Sequence, residues 1–355
     1  MRHARTKRRL LVIAMAATIA LAAAPATAGA QEIPDYDFAS ATFGLSIAPD
    51  GSLLVADLGA GIVELRKGQG SLVAPLPGIS DMDAIGRSSL FAIGLIGDWG
   101  FYLVRGGQAT RIADLLEFEA AVNPDGGTGE EGIDSNPFDV EALDGSTALI
   151  ADAGANALLV ADRAGTIDWV ATLPVEVVST ANIKSLAGCP TPVPGTEFVC
   201  GLPAAMPTQA VATSVAIGPD GAYYVGELKG FPAPTGVSKI WRIEPGTRHA
   251  ACGTSPACTV VADSFTSIVD LSFGPDGTLY VTEIDENSWA PVEPEFPPGL
   301  PAAGGTVNAC TFADWSCSEV ATGLTIPMAT AIGKDGTVYV LTEGLLPSAK
   351  VIALP

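Results

Sequence analysis

Histidine is almost missing from this 355-residue chain, which has only His3 and His249. That leaves too little imidazole for a multi-histidine metal centre, and a Ser-His-Asp triad could use only His249. Basic residues are scarce too: 18 Lys+Arg stand against 39 Asp+Glu. The first 30 residues hold five of those cations and no acid, so the remainder carries a formal charge of −26. Such a surface repels nucleic acid and anionic bilayers, and neither is expected as a partner. After residue 30 the sequence contains no G-x-S-x-G elbow, no phosphate-cradling P-loop and no C-x-x-C pair, which removes the usual sequence signs of a serine hydrolase, an NTPase or a thiol redox site. No second long apolar run follows the one at the N-terminus.

That run reads as an export signal. "MRHARTKRR" is basic, "LLVIAMAATIALAAA" is apolar, and Ala28-Gly29-Ala30 is a small-residue cleavage pattern. Residues 1–30 are therefore expected to be a secretory signal peptide, and 31–355 a single domain. Arg8-Arg9 before Leu10-Leu11 loosely permits a twin-arginine route. Lys7 stands where that motif prefers Ser or Thr, so the general route is favoured. A secreted or extracytoplasmic monomer is expected, with no transmembrane segment after cleavage. The six cysteines fall into close pairs, Cys189/Cys200, Cys252/Cys258 and Cys310/Cys317. Fifteen connectivities are open in principle, and local disulfides are expected in an oxidising compartment.

A repeated phrase fixes the architecture. "APDGSLLVADL", "GPDGAYYVGEL", "GPDGTLYVTEI" and "GKDGTVYVLTE" each write a tight turn followed by a strand. In "PDG", Pro presets φ, Asp caps its own turn and Gly takes positive φ. An apolar strand precedes each turn, and two further strands follow. Six such four-stranded antiparallel units, three of them without the exact PDG wording, make an all-β, six-bladed β-propeller. The last unit lacks its fourth strand. Residues about 33–41 are expected to supply it and to close the ring.

This topology sends every PDG turn to one face and the long excursions to the other. Those excursions are 120–139, 181–211, 227–237 and 283–305, and function is expected on them. The acid ending each second strand, Asp57, Asp152, Glu227 or Glu283, stands at the edge of that face; in the last unit it shifts by one to Glu343. Asp57 and Asp152 precede tight turns, where a carboxylate accepts backbone N–H bonds. Glu227 and Glu283 open long loops and are ligand candidates, together with Asp134, Asn136, Phe231 and Trp289. Phe296 and the nearby prolines could wall a pocket with them, or serve only as loop packing. Asp125, Asp134, Glu227 and Glu283 are the metal candidates, and Glu130 and Glu131 add oxygens nearby. Calcium is the cation such a set suits, although the spacing matches no EF-hand.

"FEAAVNPDGGTG…DSNPFDV", "ATSVAIGPDGAYYVGELKGFPAPTG" and "FTSIVDLSFGPDGTLYVTEIDEN" resemble the ScyD/ScyE family of secreted bacterial proteins, and "VADLGAGIVEL" resembles an NHL repeat. The resemblance implies a six-bladed propeller outside the cytoplasm. It supplies no reaction and no catalytic residues. Three functions fit: a scaffold binding a small molecule, glycan or protein on its loop face; a calcium-dependent, lactonase-like hydrolase using Glu227, Glu283 and Asn136 near the axis; and a quinone-dependent sugar dehydrogenase. The last is disfavoured because similar enzymes use a His base that is absent here. The binding scaffold is the leading expectation.

Overall fold

The computed structural model describes residues 31–33, 36–95, 97–127, 133–294, 296 and 299–355. The expected signal peptide, Glu130 and Glu131 lie outside these. Six blades form a ring, and each begins with an inner strand: Thr42–Ile47, Ile79–Gly86, Pro137–Ala142, Ala212–Ile217, Ile268–Phe273 and Ala329–Ile332. Each inner strand packs beside that of the next blade, and the sixth packs beside the first. From the inner strand each blade steps outward through antiparallel neighbours.

The turn chemistry is as the sequence dictates. Asp50, Asp220, Asp276 and Asp335 each accept the amide two residues on, at 3.0–3.2 Å. Gly51, Gly221, Gly277 and Gly336 have φ between 75° and 87°, a region that a Cβ disfavours. The second strands are mostly apolar and largely buried. Val55, Ile150, Val225, Val281 and Val340 show no exposure. Burying such a side chain stabilises by roughly 1.5–3 kcal/mol, so the repeated core supplies most of the driving force.

All three local disulfides are present, Cys189–Cys200, Cys252–Cys258 and Cys310–Cys317. The last two staple the hairpins between the third and fourth strands of blades four and five. Closing loops this short stabilises by roughly 2–3 kcal/mol each on the chain-entropy model. The blade-four hairpin also reaches sideways. Ala250–Ala251 pairs in parallel with the outer strand of blade three. Beside it, His249 stacks on Trp169 with ring centroids 4.8 Å apart and meets Asp168 Oδ1 at 2.7 Å.

The strand beside the C-terminus lies earlier than expected. Gln31–Glu32 pairs antiparallel with Ile352–Ala353, and Ile33 N donates to Val351 O at 2.9 Å. Residues 36–41 form no strand. The reason is competition for their backbone. Ala39 N is taken by Asp57 Oδ2 at 2.6 Å, and Leu58 N takes Ala41 O at 2.9 Å. These bonds turn the chain from the edge of blade six into blade one. Ile33, Tyr36 and Phe38 still pack against the apolar core shared by those two blades.

A chain starting at residue 42 therefore loses both the added strand and that packing. It is expected to melt several degrees below a chain starting at residue 31, as measured by circular dichroism. Equal melting would remove any stabilising role from this segment.

Candidate functional site

The acid ending each second strand is mainly a tether. Asp57 Oδ1 accepts from Gly59 N at 2.8 Å and Ala60 N at 3.2 Å, while Oδ2 holds Ala39 N. Asp152 Oδ1 accepts from Asn136 N, Gly154 N and Ala155 N, and Oδ2 accepts from Ser135 Oγ at 2.6 Å. Glu283 Oε1 accepts from Thr266 N, and Oε2 from Asn308 Nδ2 at 2.6 Å. Ala39, Asn136 and Thr266 each lie just ahead of an inner strand. The acid thus ties the chain entering a blade to that blade's second strand. In blade six Thr342 takes the place, donating to Thr325 O at 2.7 Å, and the shifted Glu343 pairs with Lys350 at 3.0 Å.

Glu227 departs from this pattern. Trp241 Nε1 donates to its Oε1 at 2.7 Å, and Lys229 Nζ lies 2.8 Å from its Oε2. Lys229 is fully buried and also meets Glu176 Oε2 at 2.6 Å; Lys239 joins the same Glu176. Burial pushes the Glu227 carboxyl up, and the Lys229 cation and the Trp241 bond pull it back. Both oxygens of Glu227 are therefore engaged by protein groups.

Asp125, Asp134 and Asn136 gather beside helix α1 (Leu115–Val122), away from Glu227 and Glu283 in the blade order. Asp125 accepts from Gly127 N at 3.0 Å and from Asn156 Nδ2 at 2.9 Å. Asp134 lies close enough to raise the carboxyls of Glu119 and Asp152. Phe231 and Trp289 belong to a layer where three excursions interlock. Trp289 donates Nε1 to Lys229 O at 2.8 Å and meets Phe296 edge-on at 5.4 Å; Phe231 lies 6.3 Å from both Phe198 and Phe296. Ile183, Val199, Ala233 and Ala290 are buried beneath them. Among the described residues no three His, Cys, Asp or Glu side chains are grouped to hold a metal ion.

Of the expected residues, Glu283 borders open space. A cavity of about 560 Å³ lies between the outer strand of blade four and blade five. Glu283, Glu286, Asn308, Asp314 and Trp315 are among its lining residues. Asp263, Phe265 and Glu319 line the wall, and no lining residue is basic. Burial pushes the Glu283 carboxyl up to about 7, with Glu286 and Glu319 adding to the rise against the pull of Thr266 N and Asn308.

A second set of acids lies at the ring's axis. Inner strands carry Asp81 and Asp83 in blade two, Asp139 and Glu141 in blade three, and Asp270 in blade five. Asp81 Oδ2 accepts from Val140 N at 2.8 Å, Asp83 Oδ2 from Ala142 N at 3.0 Å, and Asp139 Oδ2 from Val215 N at 2.6 Å. Asp270 Oδ2 accepts from Thr330 N at 2.7 Å and Thr330 Oγ1 at 2.8 Å. These four aspartates thus each cap an amide on the next blade's inner strand. The sequence does signal them, as acids spaced by two within apolar strands ("SDMDAI", "FDVEAL"). Attention to strand ends passes them over.

No protein-family model matches the chain, and no curated protein matches it. Solved structures are similar in fold. A carbohydrate-active enzyme of family AA12 from Trichoderma reesei is 10% identical, with 96% of this chain and 99% of that chain covered and a TM-score of 0.58. The calcium-binding protein regucalcin from Agrobacterium tumefaciens is 14% identical, covering 92% and 93%, at 0.55. A putative glucose dehydrogenase from Thermus thermophilus is 15% identical, covering 92% and 99%, at 0.53. At these identities the likeness is one of fold alone. Such neighbours are six-bladed propellers, and they include enzymes of differing chemistry.

Lys229→Met leaves Glu227 buried without its cation. It is expected to destabilise by about 3–5 kcal/mol in urea unfolding. Adding Glu227→Leu should recover part of that loss. A near-neutral single substitution would remove the structural role given to the pair.

Proposed function

We propose that this chain is an extracytoplasmic binding propeller that takes a small organic cation, an ammonium or guanidinium group, in the cavity between blades four and five. The observation that carries the reading is the lining of that cavity: five carboxyl side chains, one amide and two aromatic rings, with no basic residue. An unpaired cation is attracted to such a wall by charge, and an aromatic face adds roughly 0.5–2 kcal/mol by cation–π attraction. The three disulfides fit an oxidising compartment, and the resemblance to ScyD/ScyE proteins supports the same location. No helix among the described residues is long and apolar enough to cross a membrane.

The lactonase-like alternative has less support. Glu227 is held by Trp241 and Lys229, Glu283 by Thr266 and Asn308, and Asn136 lies with Asp152 in blade three. Three carboxylates and amides held apart in this way do not make one calcium centre.

Isothermal titration with spermidine and with choline, against glucose as a neutral control, tests the reading. Amine binding is expected and glucose binding is not. Asp263→Asn together with Glu319→Gln, two exposed lining acids that tether no backbone, should weaken amine binding at least fivefold with melting unchanged. A bound cation favours the ionised Glu283, whose carboxyl titrates at about 7. Affinity should therefore rise as pH passes upward through that value. Glucose binding without amine binding, or an amine affinity indifferent to these substitutions, would contradict the proposal.

A further inference from the structure

The five axial carboxyls face one another across the ring. Asp81 and Asp139 lie close enough for Asp139 to raise the Asp81 carboxyl. Asp83, Asp139 and Asp270 each lie close enough to raise Glu141, and Asp139 likewise raises Asp270. The other three inner strands bring no charge to the axis. The matching positions are Gly44 and Ser46 in blade one, Ser214 and Ala216 in blade four, and Ala329 and Ala331 in blade six. Ser46 Oγ donates to Asp83 Oδ1 at 3.3 Å. No Lys, Arg or His lies among these positions to balance the five acids.

Space is restricted at Asp81, whereas Asp83, Asp139, Glu141 and Asp270 are half-buried. Asp81 is buried, and a Cβ built on Gly44 would fall 1.9 Å from Asp81 Oδ1. Asp81, Asp83, Asp139 and Asp270 cannot swing away from one another without giving up the amides of the neighbouring blade. Protonation is the remaining way to relieve their repulsion, as in any pair of carboxyls held close together.

We propose that the axial carboxyls form a proton-sharing clasp between blades, which makes the ring more stable in mildly acidic than in alkaline solution. Burial is the largest influence on every member. Asp139 is pushed up to about 6, Asp270 to about 7, Asp83 upward, and Asp81 and Glu141 well above the ordinary range. The folded ring therefore keeps protons that the unfolded chain has already released. Stability is full below the unfolded value of about 4 and falls as pH rises through 6 and 7. This runs opposite to the usual salt-bridged carboxylate, which loses stability in acid.

Two other effects share that sign and must be separated. The overall excess of acids also disfavours the compact state at high pH, but surface repulsion is screened over about 3 Å at 1 M salt. Glu119 and Glu283, outside the axis, are also pushed up to about 7. The comparison between variants therefore decides. Glu141→Gln is the primary variant, because no hydrogen bond among the described residues fixes that carboxyl. Asp270→Asn keeps an oxygen for Thr330 N and is the second.

The experiment is urea unfolding of the purified chain at pH 5 and pH 8, in 0.1 M and 1 M NaCl, together with the protons released on unfolding at pH 6.5. The expected midpoint is higher at pH 5, and the difference survives 1 M NaCl. Glu141→Gln is expected to raise the midpoint at pH 8, shrink the pH difference and release about one proton fewer. A pH difference abolished by salt, or one that Glu141→Gln leaves whole with unchanged proton release, would overturn the proposal. If Asp270→Asn does not fold, Glu141→Gln decides by itself.

Discussion

The structure depends on how an inner strand finds partners on the side facing away from its own blade. Within the blade its amides and carbonyls meet the second strand. On the other side they face the axis and the neighbouring inner strand, which lies too oblique to continue the sheet. An unpartnered buried amide costs about 1–3 kcal/mol. Here carboxyl oxygens of one blade accept amides of the next, at Val140, Ala142, Val215 and Thr330. Hydroxyls serve the carbonyls in the same direction: Ser80 Oγ donates to Pro137 O at 2.9 Å, Thr213 Oγ1 to Ile268 O at 2.6 Å and Ser272 Oγ to Thr330 O at 2.8 Å. The ring is thus held by polar clasps at its centre and by apolar packing between second strands further out.

The two ends of each blade use acids differently. At the axis the carboxyls are crowded and uncompensated, and burial and mutual repulsion push them up. At the end of the second strand they are buried and mostly tethered by backbone amides, and in blade four a buried lysine balances one of them. The outer cavity between blades four and five is a third setting, where acids surround space large enough for a ligand. A chain with so few cations leaves all three environments acid-rich, and geometry decides which become fold and which stay open for binding.

Much of the fold was legible in the sequence. The PDG phrase carries its own turn chemistry, and the Asp and Gly in it behave as their side chains require. The six units and the three disulfides followed from period and spacing. The segment beside the C-terminus was misplaced, because its strand-like pattern in 36–41 gave no sign that Asp57 and Leu58 would take its backbone. The site was less legible. Glu283 was found, but its role as a tether came from Thr266 and Asn308, which sequence separation hides. Nothing in the sequence around Lys229 marks it, and only the fold brings Glu176 and Glu227 to it. The axial acids were passed over because an acid within an apolar strand reads as its solvent face, whereas in a ring that face is another blade.

Carbon-13 titration of the aspartate carboxyls, with assignments from Asp139→Asn and Asp270→Asn, tests the central claim most directly. The account predicts that the signals lost in these two variants titrate at about 6 and about 7 in the parent protein. If both titrate near 4, as free aspartates do, the axis holds no protons at neutral pH, and the clasp between blades is not what is described here.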